Sequence, residues 1–275
     1  MRTGIGSILV LGMVLLMAYI LFTPSTRDAL IDTSSLMRGK DIVEKPRNEV
    51  PAEDYNGYFE RYQIPVGRRT YTYFWYSPDK PWPEGLKFPL VLILHGAPGK
   101  AYAAKWLITD PTGMKHPAFI LIPALSIRRH WAAPSKTGEL PKRYALGDII
   151  EIVKQVSTLY PVDTKRIYVV GCSDGGTGVY GAARYFPDVF AAGIAMSGSW
   201  DPADGVNMTK MPLLAMHGAL DQIIPPDQAK ALNEIIRSRG GNAFYNEFPE
   251  MGHQCPSEDL YADKIWDWMF GQKRS

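Results

Sequence analysis

Ser173, Asp221 and His253 are the residues of this sequence whose types and spacing could carry out chemistry together. Ser173 lies in Gly171-Cys172-Ser173-Asp174-Gly175, a G-x-S-x-G pattern. The β-favouring run Ile167–Val170 precedes it, and small residues lead onward into a helical segment. A strand, a tight turn and a helix with serine at the apex form a nucleophile elbow, and glycines on either side leave room for the strained turn. The same pattern also fits a glycine-rich turn with a capping serine. The rest of the chain decides between the two. An acyl-transfer serine needs a base to take its proton and an acid to orient that base. His217-Gly218-Ala219-Leu220-Asp221 and Met251-Gly252-His253 each follow a β-rich run. Serine, aspartate and histidine therefore each follow a strand, at the carboxyl edge where open α/β sheets build their sites. They also occur in the chain order Ser, Asp, His.

Asp201 and Asp204 follow a strand too and are the rival acids, while Asp221 could cap the helix after Pro225-Pro226. His116 and His130 precede the serine and fit the order poorly. His95 and His217 precede glycines at strand ends, where they would brace loops. Negative charge developing on a substrate carbonyl requires N–H donors. Asp174 N–H, next to the nucleophile at a helix N-terminus, is one candidate. The other comes from His95-Gly96-Ala97-Pro98-Gly99, where Pro98 has no N–H and Ala97 is left as the donor. Trp131 and Trp200 follow strands and are candidates to line an acyl or alcohol pocket, with a core or surface role equally open. This chemistry calls for no metal and no organic cofactor.

Holding these residues requires a sheet. Tyr58–Ile64 and Thr70–Tyr76 flank Pro65-Val66-Gly67-Arg68 and predict a hairpin. Leu90–Leu94 is continuously apolar, as in a strand covered on both faces. Strands are predicted at Phe119–Ile122, Arg166–Val170, Ala191–Met196, Leu213–Met216 and Ala243–Phe248. Helices are predicted at Leu146–Tyr160, Gln228–Arg239 and Leu260–Phe270. The alternation predicts an α/β fold, a mostly parallel sheet with an antiparallel N-terminal hairpin and helices on both faces.

A chain of 275 residues, 46% hydrophobic, can bury one large core, assigned here to residues 55–275. A net charge of +2 argues against a polyelectrolyte partner such as nucleic acid. Gly4–Phe22 is a 19-residue run without a charge, just long enough to span a bilayer. Residues 1–23 are expected to be an N-terminal membrane anchor, with a cleaved signal peptide as the alternative. Either places the remainder outside the cytoplasm, periplasmic or extracellular, or secreted. Residues 24–54, punctuated by Pro24, Pro46 and Pro51, are expected to be a tether. The sequence specifies no oligomeric state.

Leu94-His95-Gly96, Gly171-x-Ser173-x-Gly175-Gly176, His217-Gly218-x-x-Asp221-x-x-x-Pro225 and Gly252-His253 together resemble an α/β-hydrolase. The type is that of the dienelactone hydrolases and of the polyhydroxybutyrate depolymerases and feruloyl esterases, and the likeness covers residues 58 to 270. The resemblance implies a serine hydrolase acting on a small-molecule or polymeric carboxylic ester. A serine peptidase of related fold is the nearest alternative, and an inactive binding module is a further one. Cys172 and Cys255 are similar to the cysteines flanking serine and histidine in fungal feruloyl esterases and tannases, where they are bonded to each other. The resemblance implies the same disulfide here, with two buried thiols as the alternative. This chain departs from that pattern in two ways: Gln254 separates His253 from Cys255, and the large lid insertion of those enzymes is missing.

Overall fold

The computed structural model describes residues 58–96, 107, 115–126, 128–255 and 263–275, all within one compact unit, Glu44–Ser275. The apolar run Gly4–Phe22, the segment 24–54 and Ala97 lie outside the described residues. Among the described residues, no helix is long and apolar enough to cross a membrane.

The chain opens with a hairpin, β1 (Glu60–Val66) and β2 (Arg69–Tyr76), paired antiparallel with Val66 opposite Arg69. β3 (Phe88–Leu94) and β4 (Phe119–Pro123) follow, then α1 (Leu146–Leu159) and β5 (Val162–Cys172). After β5 come α2 (Asp174–Tyr185), β6 (Ala192–Met196) and a 3-10 turn at Pro202–Asn207. β7 (Leu213–Gly218), α3 (Asp227–Ser238), β8 (Ala243–Phe248) and α4 (Asp263–Phe270) complete the order. The strands form an eight-stranded sheet in the order β1-β2-β4-β3-β5-β6-β7-β8. β2 meets β4 antiparallel, and every pair from β4 through β8 is parallel. This is the α/β-hydrolase architecture anticipated above.

Both faces of the sheet are covered, which is why β3 reads as unbroken apolar sequence and all seven of its residues are buried. On one face Val91, Ile93, Ile120, Val170, Ile194 and Met216 join Trp266 and Met269 of α4 in a single apolar cluster. On the other, Leu94 packs against α2 at Gly178. The helices bury one stripe each: in α1 that stripe includes Leu146, Ile149, Ile150, Val153 and Val156.

β5 begins four residues earlier than its hydrophobic pattern predicts. Asp163, Thr164 and Lys165 conceal the extension, because pairing with β3 shifts register between Phe88 and Leu90 and leaves these polar residues out of the core. Asp163 instead accepts a hydrogen bond from Arg166 at 2.8 Å. The 3-10 turn is a second feature the sequence pattern did not predict. The Asp201 side chain starts it by accepting from the Ala203 N–H at 2.9 Å.

The join between β5 and α2 is the tightest point of the sheet edge. Ser173 has φ 58° and ψ −121°, and its N–H donates to the Met196 carbonyl at 2.9 Å. α2 starts so close beneath β3 that a Cβ on Gly175 would lie 1.9 Å from the Leu94 carbonyl oxygen. That oxygen is fixed backbone, so nothing nearby can give way. Gly175→Ala should therefore cost about 3 kcal/mol or more, at the upper end of overpacking. The expected drop in Tm is roughly 6–12 °C for a domain of this size. A variant that melts with the native protein would contradict this description of the elbow.

Candidate active site

Three loops at the carboxyl edge of the sheet bring the candidate residues together. Ser173 follows β5, Asp221 follows β7 and His253 follows β8. His253 Nε2 lies 3.0 Å from Ser173 Oγ, and His253 Nδ1 lies 2.8 Å from Asp221 Oδ2.

The electrostatics of this chain start at Asp221, whose side chain is fully buried. Its Oδ1 accepts from the Ile223 N–H at 2.9 Å and from the Ile224 N–H at 2.8 Å. Burial pushes the carboxyl up, but the bonds from Ile224, His253 and Ile223 outweigh it and hold the group below the usual carboxylate range. An ionised carboxylate only accepts hydrogen bonds. His253 Nδ1 must therefore carry the proton in that bond, which leaves Nε2 of the neutral ring free to accept from the Ser173 hydroxyl. The tautomer follows from the hydrogen-bond network, and it is the one a general base requires.

The acid and base loops are tied to each other. Leu220 N–H donates to the Met251 carbonyl at 2.8 Å and Ala219 N–H to the Phe248 carbonyl at 3.0 Å. A disulfide joins Cys172 to Cys255, with their Cα atoms 5.6 Å apart. It links the residue before the serine to the second residue after the histidine. The intervening Gln254 does not turn Cys255 away.

His217 braces a loop, as its position predicts, by donating from Nε2 to the Ile224 carbonyl at 2.8 Å. The sequence did not predict its second contact: the same nitrogen lies 3.2 Å from Asp221 Oδ2. The available signal was the spacing of four residues across a loop that Pro225 closes. The Ile223 and Ile224 N–H groups carried no side-chain signal at all. His95 is also a brace. It is buried, its Nε2 accepts from the Leu125 N–H at 2.9 Å, and Nδ1 donates to the Gly96 carbonyl. Burial, the largest influence, holds its basicity below that of an ordinary histidine. Gly96 sits directly against the nucleophile, where a Cβ would approach the Ser173 Cβ to 3.1 Å.

The rival acids are engaged elsewhere. Asp201 caps the 3-10 turn, while Asp204 accepts from Arg184 at 3.2 Å and from the Trp200 indole at 2.9 Å. His116 pairs with Asp267 at 2.7 Å. His130 Nδ1 bonds Asp174 Oδ1 at 2.8 Å, which occupies the Asp174 side chain, while its backbone opens α2 beside Ser173.

The expectation that Trp131 and Trp200 line a substrate pocket is corrected by their burial, 0% and 1% exposed. Trp131 donates to the His95 carbonyl at 2.8 Å and packs edge-on against the His95 ring. Each indole is large enough to fill core and finds an internal acceptor, which is how buried tryptophans are satisfied. Among the described residues, no cluster of His, Cys, Asp and Glu could hold a metal ion.

Parts of this chain are similar to known proteins. Residues 132–260 match the dienelactone hydrolase family. A "probable carboxylesterase" of Oryza sativa subsp. japonica is 26% identical over 113 residues, covering 38% of this chain and 42% of that protein. The chain thus spans less than half the length of the curated relatives it matches, 42% in each case. A thermostable esterase superposes with a TM-score of 0.68 at 23% identity, covering 78% of this chain and 63% of the other. An acylaminoacyl peptidase of Pyrococcus horikoshii superposes at 0.56 with 18% identity, covering 73% and 38%. At such identities these two structures establish the fold. The chain has the α/β-hydrolase fold, and its residues 132–260 are similar to the dienelactone hydrolase family.

Proposed function

We propose that the protein is a serine hydrolase that cleaves a carboxylic ester outside the cytoplasm. The observation that carries the reading is the unbroken line of hydrogen bonds from Asp221 through His253 to Ser173. His253 Nε2 takes the Ser173 proton as Oγ attacks the ester carbonyl, then returns it to the leaving alcohol. Buried Asp221 holds the ring and stabilises the imidazolium that forms. Asp174 N–H and Ala97 N–H bind the oxyanion. Water then attacks the acyl-enzyme, with the same histidine as base. The esterase relatives support an ester over an amide. The peptidase sharing the fold makes peptide hydrolysis the second reading. The disulfide supports a site of action beyond the reducing cytoplasm. The uncharged run Gly4–Phe22 supports attachment to the membrane as a helical anchor.

Steady-state kinetics on short-chain, aromatic and polymeric esters, beside peptides, test this reading. Ser173→Ala and His253→Ala should each lower kcat by at least about 10³-fold, because the members act as a unit. Asp221→Asn should cost somewhat less, and Asp201→Asn nothing. Full activity in Ser173→Ala would contradict the proposal, and turnover of peptides but no ester would replace it with the peptidase reading.

The disulfide yields a second prediction. It closes a separation of 83 residues, for which chain entropy gives about 4–5 kcal/mol. Reduction under native conditions should lower Tm by about 10–15 °C. It should also lower kcat, because the base loop loses a tether to the nucleophile. Unchanged activity after complete alkylation of both thiols would show that the tether has no catalytic part.

A further inference from the structure

Among the described residues, only Ser173 and Ser197 combine a side chain with positive φ, at 58° and 45°. Their placement is parallel. Cys172 and Met196 are register partners at the ends of β5 and β6, and each serine is the next residue. Ser173 N–H donates to the Met196 carbonyl, and Ser197 N–H to the Met216 carbonyl one strand further along, both at 2.9 Å. The first strained serine is the candidate nucleophile. The second sits fully buried in the adjacent turn, with no position in the line of bonds from Asp221 to Ser173.

Among the described residues, its hydroxyl has one partner. Ser197 Oγ donates to the Gln254 carbonyl at 3.2 Å. Gln254 lies between His253 and Cys255, in a turn closed by its own N–H on the Gly252 carbonyl at 2.9 Å. Three consecutive residues of the base loop are therefore fastened to the ends of β5 and β6. His253 meets Ser173, Gln254 meets Ser197, and Cys255 is bonded to Cys172. A buried non-glycine residue keeps a left-handed backbone only where its surroundings enforce it, and such outliers cluster at functional sites. At Ser197 that backbone leaves the hydroxyl bonded to the loop that carries the base.

We propose that Ser197 is a positioning residue for His253. By holding the Gln254 carbonyl, it keeps the imidazole within reach of Ser173 Oγ independently of the disulfide on the other side of the same peptide. The inference rests on the serine-hydrolase reading above.

The test is steady-state hydrolysis of p-nitrophenyl acetate by the full-length protein and its Ser197→Ala, Ser197→Gly and Ser173→Ala variants. A displaced base slows the chemical step without altering substrate contacts. Both Ser197 variants should therefore lose about tenfold in kcat, within the range that small misplacements cost, while KM stays within about twofold. Glycine adopts positive φ without steric cost. If Ser197 served only the turn, Ser197→Gly would match the native enzyme, and native kcat in that variant would overturn the inference. A raised KM with unchanged kcat would overturn it equally. Thermal melts should show both variants folded. Failure of both to fold would contradict the proposal, since it would place Ser197 among the residues that build the core. Retained activity in Ser173→Ala would instead remove the underlying reading, and this inference with it.

Discussion

Asp221 is shut off from bulk solvent and takes its hydrogen bonds from the protein, Oδ1 from two backbone N–H groups and Oδ2 from His253. A buried carboxylate left without such donors would take up a proton and cease to orient the histidine. Because the donors are present it stays ionised, and an ionised acceptor fixes the proton on His253 Nδ1. The basic nitrogen is thereby turned toward Ser173. The rest of the carboxyl edge serves that bond. Leu220 and Met251 lock the acid and base loops together, His217 holds the acid loop closed at Ile224, and the disulfide pins the far end of the base loop.

The sheet makes this possible through a shared register. β5, β6, β7 and β8 run parallel and end near one another, so the turns leaving them meet along one edge. The turns after β5, β6 and β7 are each tied to the next strand's end by a backbone N–H, from Ser173, Ser197 and Ala219. The elbow is the tightest of these turns, because α2 must begin directly under the Leu94 carbonyl. Strain at Ser173 is thus held by packing on both sides, from β3 and from β6.

Much of the fold is legible because burial leaves marks in composition. β3 reads as continuous apolar residues since both its faces are covered, and the hairpin reads through its turn residues. The start of β5 is hidden because Asp163, Thr164 and Lys165 occupy a register shift rather than the core. Ser173, Asp221 and His253 are legible through their motifs, and the structure brings their side chains into hydrogen-bond contact. Trp131 and Trp200 mislead because an indole near a strand end suits a pocket wall or a core equally, and only packing distinguishes them. The backbone donors to Asp221, the second contact of His217 and the turn at Ser197 depend on where loops from different strands meet. No local pattern encodes that.

The central claim is that His253, oriented by Asp221, makes the Ser173 hydroxyl nucleophilic. Reaction with a fluorophosphonate, followed by intact mass and peptide mapping, measures this directly. The account predicts a single phosphonyl adduct on the peptide containing Ser173, and none after His253→Ala. An unmodified Ser173, or an adduct carried by another residue, would contradict it.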